Sequence, residues 1–109
     1  MTYKDLETAL KRTGIPFREG EWKRAENLKS DYGAYAIDNA EDLVSDGHHT
    51  ERLWEGTVDL FCRNGPGYSQ CAKVEAAMDS AGVYWQLNSR QYEEPTGLTH
   101  WEWVFRCLP

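Results

Sequence analysis

The chain of 109 residues lacks the sequence features that mark membrane and exported proteins. No apolar run approaches the ~20 residues that a transmembrane helix needs. The first residues, MTYKDLETALKRTG, contain neither the apolar stretch nor the small-residue cleavage site of an export signal. We therefore expect no membrane partner. The length is that of one domain, and we predict a single domain over residues 1–109.

Cysteine is scarce, and its spacing argues against two further classes. Cys62, Cys71 and Cys107 are odd in number and contain no CxxC pair, which disfavours a disulfide framework and a zinc knuckle. Each thiol falls on the apolar face of a predicted helix or strand, without a neighbouring base that would activate it. We expect three reduced, inert thiols in the core.

Positive charge is also scarce, and the acidic excess is concentrated in one segment. The formal net charge is −6. Residues 31–59 hold eight acids and one base, Arg52, whereas residues 1–30 hold five acids and seven bases and residues 60–109 hold five acids and four bases. A chain of this kind has no basic stripe to contact phosphates, so tight binding of DNA or RNA is disfavoured.

Aromatic residues are abundant instead, with five Trp, six Tyr and three Phe. Apolar periodicity predicts two helices, and alternation with turn signals predicts five strands. The helices are Tyr3–Thr13 and Tyr68–Ala81; the strands are Ile15–Phe17, Tyr32–Asp38, Glu51–Arg63, Val83–Ser89 and Leu98–Cys107. The polar stretches Arg18–Ser30 and Asn39–Thr50 are predicted loops.

These elements predict an α+β domain in the order α-β-β-β-α-β-β. One mixed, mainly antiparallel sheet of about five strands, with both helices packed on its aromatic face, buries every apolar stripe. The turn Glu93–Gly97 makes the last two strands antiparallel neighbours.

Two groups of polar residues in the acidic segment resemble catalytic or metal sites. A metal needs three or four converging ligands, yet His48 and His49 are adjacent, and His100 joins them only if the last strand comes close. A carboxylate acid–base pair needs burial of one member, which a polar loop does not offer. We therefore predict no metal, no cofactor and no catalytic residue.

Two further motifs also have structural explanations. The sequence NGPGYSQC, Asn64–Cys71, is glycine-rich and opens a helix, but it lacks the lysine and hydroxyl of a phosphate-binding loop, so we read it as a strand-to-helix turn. The row Trp101, Trp103 and Phe105 resembles a base-stacking platform, but only Arg90 and Arg106 are close to it in sequence. Core packing is the better explanation of this row.

The whole pattern resembles the tail-terminator, or tail-to-head joining, proteins of long-tailed phages and prophages. The resemblance is carried by YGAYAID, VDLF, a short F-x-x-G-x-W pattern and the last helix-to-strand segment. The residues concerned are Phe17, Gly20 and Trp22; Gly33, Tyr35 and Asp38; Val58–Phe61; Gly82–Trp85; and Gln91, Tyr92 and Glu93.

The resemblance implies a structural virion protein rather than an enzyme. Members of such a family form a ring, expected to be a hexamer, that caps the tail tube and binds the head connector. The implied partners are other copies of the chain, the major tail tube protein and the connector or neck protein, at the tail–head junction of a virion assembled in the host cytoplasm. No cofactor is implied.

The acidic segment then gains a hypothetical role as an electrostatic surface. If it faces the lumen of the ring, it repels DNA phosphates and lets DNA pass without sticking. The alternative placement is against the tail tube. The residues assigned to this surface are Asp38, Glu41, Asp42, Asp46 and Glu51.

Two alternative functions remain open at this point. One is another neck or tail-completion component of the head–tail interface. The other is a small non-viral α+β domain that binds a ligand between sheet and helices. An enclosed pocket with convergent polar groups would favour the ligand-binding domain, whereas exposed apolar patches would favour a ring subunit.

Overall fold

The computed structural model describes residues 1–20, 30–45 and 48–109, with side chains described outside residues 40–52. Two helices and five strands alternate in the predicted order. They are α1 (Tyr3–Lys11), β1 (Phe17–Glu19), β2 (Tyr32–Ser45), β3 (His48–Cys62), α2 (Tyr68–Ala81), β4 (Tyr84–Glu93) and β5 (Leu98–Cys107).

The five strands form one mixed sheet in the order β1-β2-β3-β5-β4. Only β1 and β2 are parallel; the pairs β2–β3, β3–β5 and β5–β4 are antiparallel. The hairpin between β4 and β5 is therefore confirmed, as is the α+β class with a single, mainly antiparallel sheet. The strands β1 and β4 form the two ends of the sheet.

Helix α1 begins at a capping box and packs one face on the sheet. The Thr2 hydroxyl accepts a hydrogen bond from the Asp5 amide (3.2 Å), and the Asp5 carboxylate accepts one from the Thr2 amide (3.0 Å). These bonds satisfy two amides that a helix start leaves without partners. Leu6 and Leu10 are fully buried, as their spacing predicts, but the helix ends at Lys11, two residues before the predicted end.

Helix α2 has the predicted bounds and the predicted apolar stripe. Cys71, Val74, Met78 and Ala81 are buried, and Gly82 ends the helix in the left-handed conformation (φ 73°) that glycine adopts most easily. The helices meet the face of the sheet that carries Tyr35, Val58, Leu60, Trp101, Trp103, Phe105 and Cys107, all buried. The opposite face carries no helix among the described residues.

The predicted loop Asn39–Thr50 is wrong over most of its length. Strand β2 continues to Ser45 and β3 already begins at His48, so the two form one long hairpin. The Asn, Asp and Ser residues there favour turns by local propensity, but pairing with the facing strand supplies the backbone with partners and overrides that preference. Asp46 and Gly47 lie outside the described residues.

Two other strands differ from prediction at their ends. Strand β1 lies at Phe17–Glu19 instead of Ile15–Phe17, because its partner in β2 starts at Gly33 opposite Phe17. Strand β4 starts at Tyr84 and continues to Glu93, since β5 offers partners along that whole length after a bulge between Leu87 and Ser89. Of the predicted loop Arg18–Ser30, residues 21–29 lie outside the described part of the chain.

The hairpin makes the molecule elongated. Strand β5 pairs with β3 only from Trp54 to Cys62, so β3 continues about 20 Å beyond it, at 3.4 Å per residue. The overall dimensions are 51 × 25 × 22 Å, and the radius of gyration is 14.9 Å, against about 13 Å for a compact domain of this size. Neither described helix has the length and apolar character needed to cross a membrane.

Candidate functional site

The open face of the sheet carries a group of carboxylates on its central strands. Arg106 Nε donates to Glu55 Oε2 (2.8 Å), and Asn88 Nδ2 donates to Glu102 Oε2 (2.9 Å). Asp59 lies opposite Glu102 in the register of β3 and β5. The carboxylates are thus held by hydrogen bonds on a largely polar surface.

Asp38, a member of the predicted acidic surface, lies beside these carboxylates. It stands at a β-bulge, between the paired residues Ile37 and Asn39. Burial raises the pKa of Asp38, and the negative charge of Asp59 raises it further, while a hydrogen bond with Thr57 acts in the opposite direction. Asp38 therefore lies in a strand, as predicted for Tyr32–Asp38, and its proton affinity is increased.

His100 is the centre of a second cluster on the same face. Its Nε2 is 2.7 Å from Asp59 Oδ1, and its Nδ1 is 3.9 Å from Glu93 Oε2. The ring stacks on Phe61 (4.3 Å between centroids), which stacks in turn on Tyr32 (4.8 Å). The hydrogen bond to Asp59 raises the pKa of His100, although partial burial opposes that shift. The cluster joins four neighbouring strands, β2, β3, β5 and β4.

The other predicted acidic residues lie in the hairpin. In backbone register Glu41 is opposite Leu53, Asp42 is opposite Arg52, and Glu51 is opposite Leu43. Asp46 falls outside the described residues. The structure therefore places Asp38 near the base of the projecting part and Glu41, Asp42 and Glu51 along it, so these four residues do not form one compact site.

The histidines do not come together. His48 and His49 are the first residues of β3, opposite Ser45 and Val44. His100 is opposite Phe61, twelve residues further along β3, which corresponds to about 40 Å. Within the described part of the chain, no three His, Cys, Asp or Glu residues are arranged to hold a metal ion.

The cysteines and the tryptophan row lie in the core, as predicted. Cys62, Cys71 and Cys107 are buried free thiols, and burial is the largest cause that raises their pKa values to about 12, 11 and 11. Such thiols are poor nucleophiles at neutral pH. Trp103 and Phe105 are fully buried and Trp101 is nearly so, which confirms core packing for that row.

Three of the four acidic residues of the two helices accept hydrogen bonds from side chains of the sheet. Glu7 Oε2 accepts from the Tyr35 hydroxyl (2.6 Å). Glu75 Oε2 accepts from Trp103 Nε1 (2.9 Å), and Asp79 Oδ1 accepts from Trp85 Nε1 (2.8 Å). A buried or half-buried ring thus keeps a partner for its polar atom, and the helical carboxylates turn toward the sheet.

A groove of about 850 Å³ runs between α1 and α2 on their outer side. Most of its lining residues are small or hydroxyl-bearing. Arg12 follows the end of α1 and Lys73 lies near the start of α2, so both are distant from the end at which Met1 contacts Ala81. The lining residues are Met1, Asp5, Thr8, Ala9, Arg12, Thr13, Lys73, Ala76, Ala77, Ser80 and Ala81. Neither Arg12 nor Lys73 forms an ion pair with another described residue. At the other end, the Asp5 carboxylate is paired with the Met1 ammonium group (2.9 Å).

The edge strand β4 exposes large apolar side chains. Tyr84, Leu87 and Tyr92 are 64%, 41% and 65% exposed. Beyond β4, no further strand pairs with it among the described residues. An exposed edge with apolar side chains is a surface on which another chain can pair or pack.

Sequence reasoning missed both the His100 cluster and the groove. The pairing of Asp59, Phe61 and His100 depends on β3 lying beside β5 in one register, which alternation within a strand does not reveal. The groove depends on the packing of two helices that are more than fifty residues apart in the chain. The exposed charges of Arg12 and Lys73, which form no ion pair with another described residue, were a signal, but only inspection of the helical outer faces would have isolated them.

Comparisons with known proteins give no further assignment. A scan of the chain against models of protein families returns no match. A search of curated protein sequences returns none either.

Proposed function

We propose that the chain is a tail-terminator subunit, a structural virion protein whose copies form a ring, hexameric by the family resemblance, that caps the tail tube and joins it to the head connector. The resemblance in sequence supplies the role. The observation that carries the proposal is the exposed apolar edge of β4, which lies at one end of the sheet while the long hairpin projects from the region of the other end.

Two unlike surfaces on one small domain suit a ring subunit. In a closed ring, each copy contacts its neighbours through two different patches, and the rotation between copies closes the circle. The edge of β4, the projecting hairpin, the open sheet face and the outer side of the helices are four unlike surfaces, from which two such patches can be drawn. Tail tube and neck each need a surface as well, and an elongated subunit offers more surface for its mass.

The charge distribution supports passage of DNA through the ring. Six copies each carry a net charge of −6, and part of that negative charge lies on the carboxylates of the open sheet face. Such a ring repels phosphates and holds no strand of DNA tightly.

The alternative of a ligand-binding domain receives less support. That alternative needs a concave, enclosed site with convergent polar groups. The groove between α1 and α2 is instead an open depression on the outer side of the helices, and the space between the helices and the sheet is filled by packed side chains.

The test is the mass of the purified protein, measured by light scattering over a wide range of concentration and followed by negative-stain imaging. We expect a species of six times 12.6 kDa with a central hole. Should the protein remain monomeric alone, polymerised tail tubes are added, and we expect caps at one end of the tubes. A monomer that leaves both tube ends bare would contradict the proposal.

A further inference from the structure

We propose that the contact between neighbouring copies is made by the hairpin of one copy docking in the groove between α1 and α2 of the next. This inference rests on the proposed ring, and it names the two surfaces that form the ring contact. The partner is a second copy of this chain, and the recognition is between acidic and basic segments.

The charge and the shape of the groove suit the binding of a negatively charged chain segment. Arg12 and Lys73 come from different helices, lie toward the same end and form no ion pair within the described part of the chain. Between them the surface is formed by small side chains, including Ala9, Ala76 and Ala77, which let a backbone approach closely. The groove volume of about 850 Å³ is sufficient for several residues of an extended strand.

The carboxylates on the helices do not neutralise these cations. Glu7, Glu75 and Asp79 accept hydrogen bonds from side chains of the sheet. Asp5 is paired with the Met1 ammonium group at the opposite end of the groove. The outer surface of the helices is therefore positive near Arg12 and Lys73, in a chain whose net charge is negative.

The hairpin provides the complementary segment. Residues 39–54 carry four acids and one base, Arg52. The backbone of β3 projects about 20 Å beyond β5, so the hairpin can enter a neighbour while the sheet remains outside. A two-stranded hairpin alone is marginally stable. Docking against the helices of a second copy would give the hairpin the packing partner that it lacks.

A second copy fits better than a nucleic acid as the occupant. The hairpin and the groove carry opposite charges in the same chain, and they lie on different surfaces, so the contact is heterologous and can close a ring. A phosphate backbone would meet only two cations in the groove and a chain of net charge −6 around it.

The test is chemical cross-linking between two variants that each carry one added cysteine. Ser45→Cys lies at the end of β2 in the hairpin, and Ala76→Cys lies in the groove. The native thiols are buried and have raised pKa values, so a short bis-maleimide reacts mainly with the added ones. The matched control replaces Ala76→Cys with Tyr84→Cys, an exposed position on β4.

We expect the mixture of Ser45→Cys and Ala76→Cys to give cross-linked pairs at least ten times more often than the mixture of Ser45→Cys and Tyr84→Cys. Rings that form without the first cross-link would overturn the inference and leave the proposed function intact. Cross-linked oligomers that never cap tail tubes would support the contact but contradict the proposed function. Binding of labelled DNA that is lost in Arg12→Glu/Lys73→Glu would also overturn the inference, because the groove would then be a nucleic-acid site.

Discussion

At the scale of single residues, the sheet depends on a close approach at Gly56. Gly56 lies opposite Ile37 in β2 and Phe105 in β5. A Cβ atom added there would collide with the carbonyl oxygen of Ala36 and would come within 2.8 Å of the Phe105 ring. The backbone carbonyl cannot move without disturbing the β2–β3 ladder, so the position requires glycine.

Gly56→Ala should therefore lower the free energy of unfolding by about 3 kcal/mol, the upper part of the range for overpacking a core. Equilibrium denaturation in urea measures the change. The control is Gln86→Ala, at an exposed position of β4, which should change stability by less than about 1 kcal/mol. Equal losses for the two variants would show that the close approach at Gly56 is not limiting.

His100 gives the second residue-scale prediction, a dependence of stability on pH. Its pKa in the folded state is raised above the ordinary 6.5, first by the hydrogen bond to Asp59 and then by the charges of Asp59, Glu93 and Glu102. A group with a raised pKa stabilises the fold below its unfolded pKa, and that stabilisation disappears as the pH rises through the folded pKa.

The difference in unfolding free energy between the wild type and His100→Gln should thus be larger at about pH 5 than at about pH 8. Taking the difference cancels the titration of groups that do not interact with His100, such as Asp38. Urea denaturation of both proteins at the two pH values measures it. A difference that is constant with pH, or that grows toward high pH, would contradict the assignment of the Asp59 contact.

Residues with a strong local preference were predictable, and residues defined by strand pairing were not. Leu6, Val74, Trp103 and Phe105 are placed by the period of their own element, and each is buried as expected. Asp38 was assigned to a charged surface, yet burial raises its pKa, and the charges of Asp59 on β3 and Glu102 on β5 raise it further. Such neighbours are fixed by register, which single-strand alternation does not contain.

At the scale of elements, the capping box of α1 is a local motif that can be read from the sequence, since Thr2 is followed by Asp5 three residues later. Thr2→Ala removes the hydroxyl that accepts from the Asp5 amide, and it leaves that amide without its partner. We expect a loss of about 1 kcal/mol in the free energy of unfolding, the usual cost of removing an N-cap.

The control for this prediction is Thr8→Ala in the same helix. Thr8 lies in the groove, and its side chain caps nothing. Alanine has the higher helix propensity, so this variant should be unchanged or slightly more stable in thermal or urea denaturation. A comparable loss in both variants would indicate that threonine itself, and not the cap, contributes the stability.

The long hairpin shows where element prediction fails. Asn39–Thr50 is rich in residues that favour turns, so local propensity placed a loop there. The two strands instead pair with each other through Ser45 and His48. Cross-strand hydrogen bonds are long-range information, and a polar tract without alternation carries no sign of them. The same limit explains why β4 was predicted to end at Ser89 rather than Glu93.

At the scale of the whole molecule, charge is separated by surface. The helical outer side carries Arg12 and Lys73, which form no ion pair with another described residue, while the open sheet face and the hairpin together carry nine of the 18 acids. Such a molecule has an electrostatic preference for head-to-tail association of its copies. The composition revealed that the acids are concentrated in residues 31–59, but only the fold shows which surface carries the complementary positive charge.

The separation predicts a charge-exchange experiment. Arg12→Glu/Lys73→Glu should prevent assembly of the ring, and so should Glu41→Lys/Asp42→Lys, because each places like charges in the contact. The chain that carries all four substitutions should assemble again, since the opposite signs are restored with their places exchanged. Light scattering, with tail tubes added where they are needed, measures assembly of the three variants beside the wild type.

Salt provides the matched measurement for the same contact. Assembly of the wild type should weaken as ionic strength rises from about 0.01 M to about 1 M, over which the Debye length falls from about 30 Å to about 3 Å. The four-substitution variant should follow the same salt dependence. If the Glu41→Lys/Asp42→Lys variant forms rings as well as the wild type does, the hairpin is not in the contact, and its acids are better placed in the lumen, where they would act on DNA passage instead.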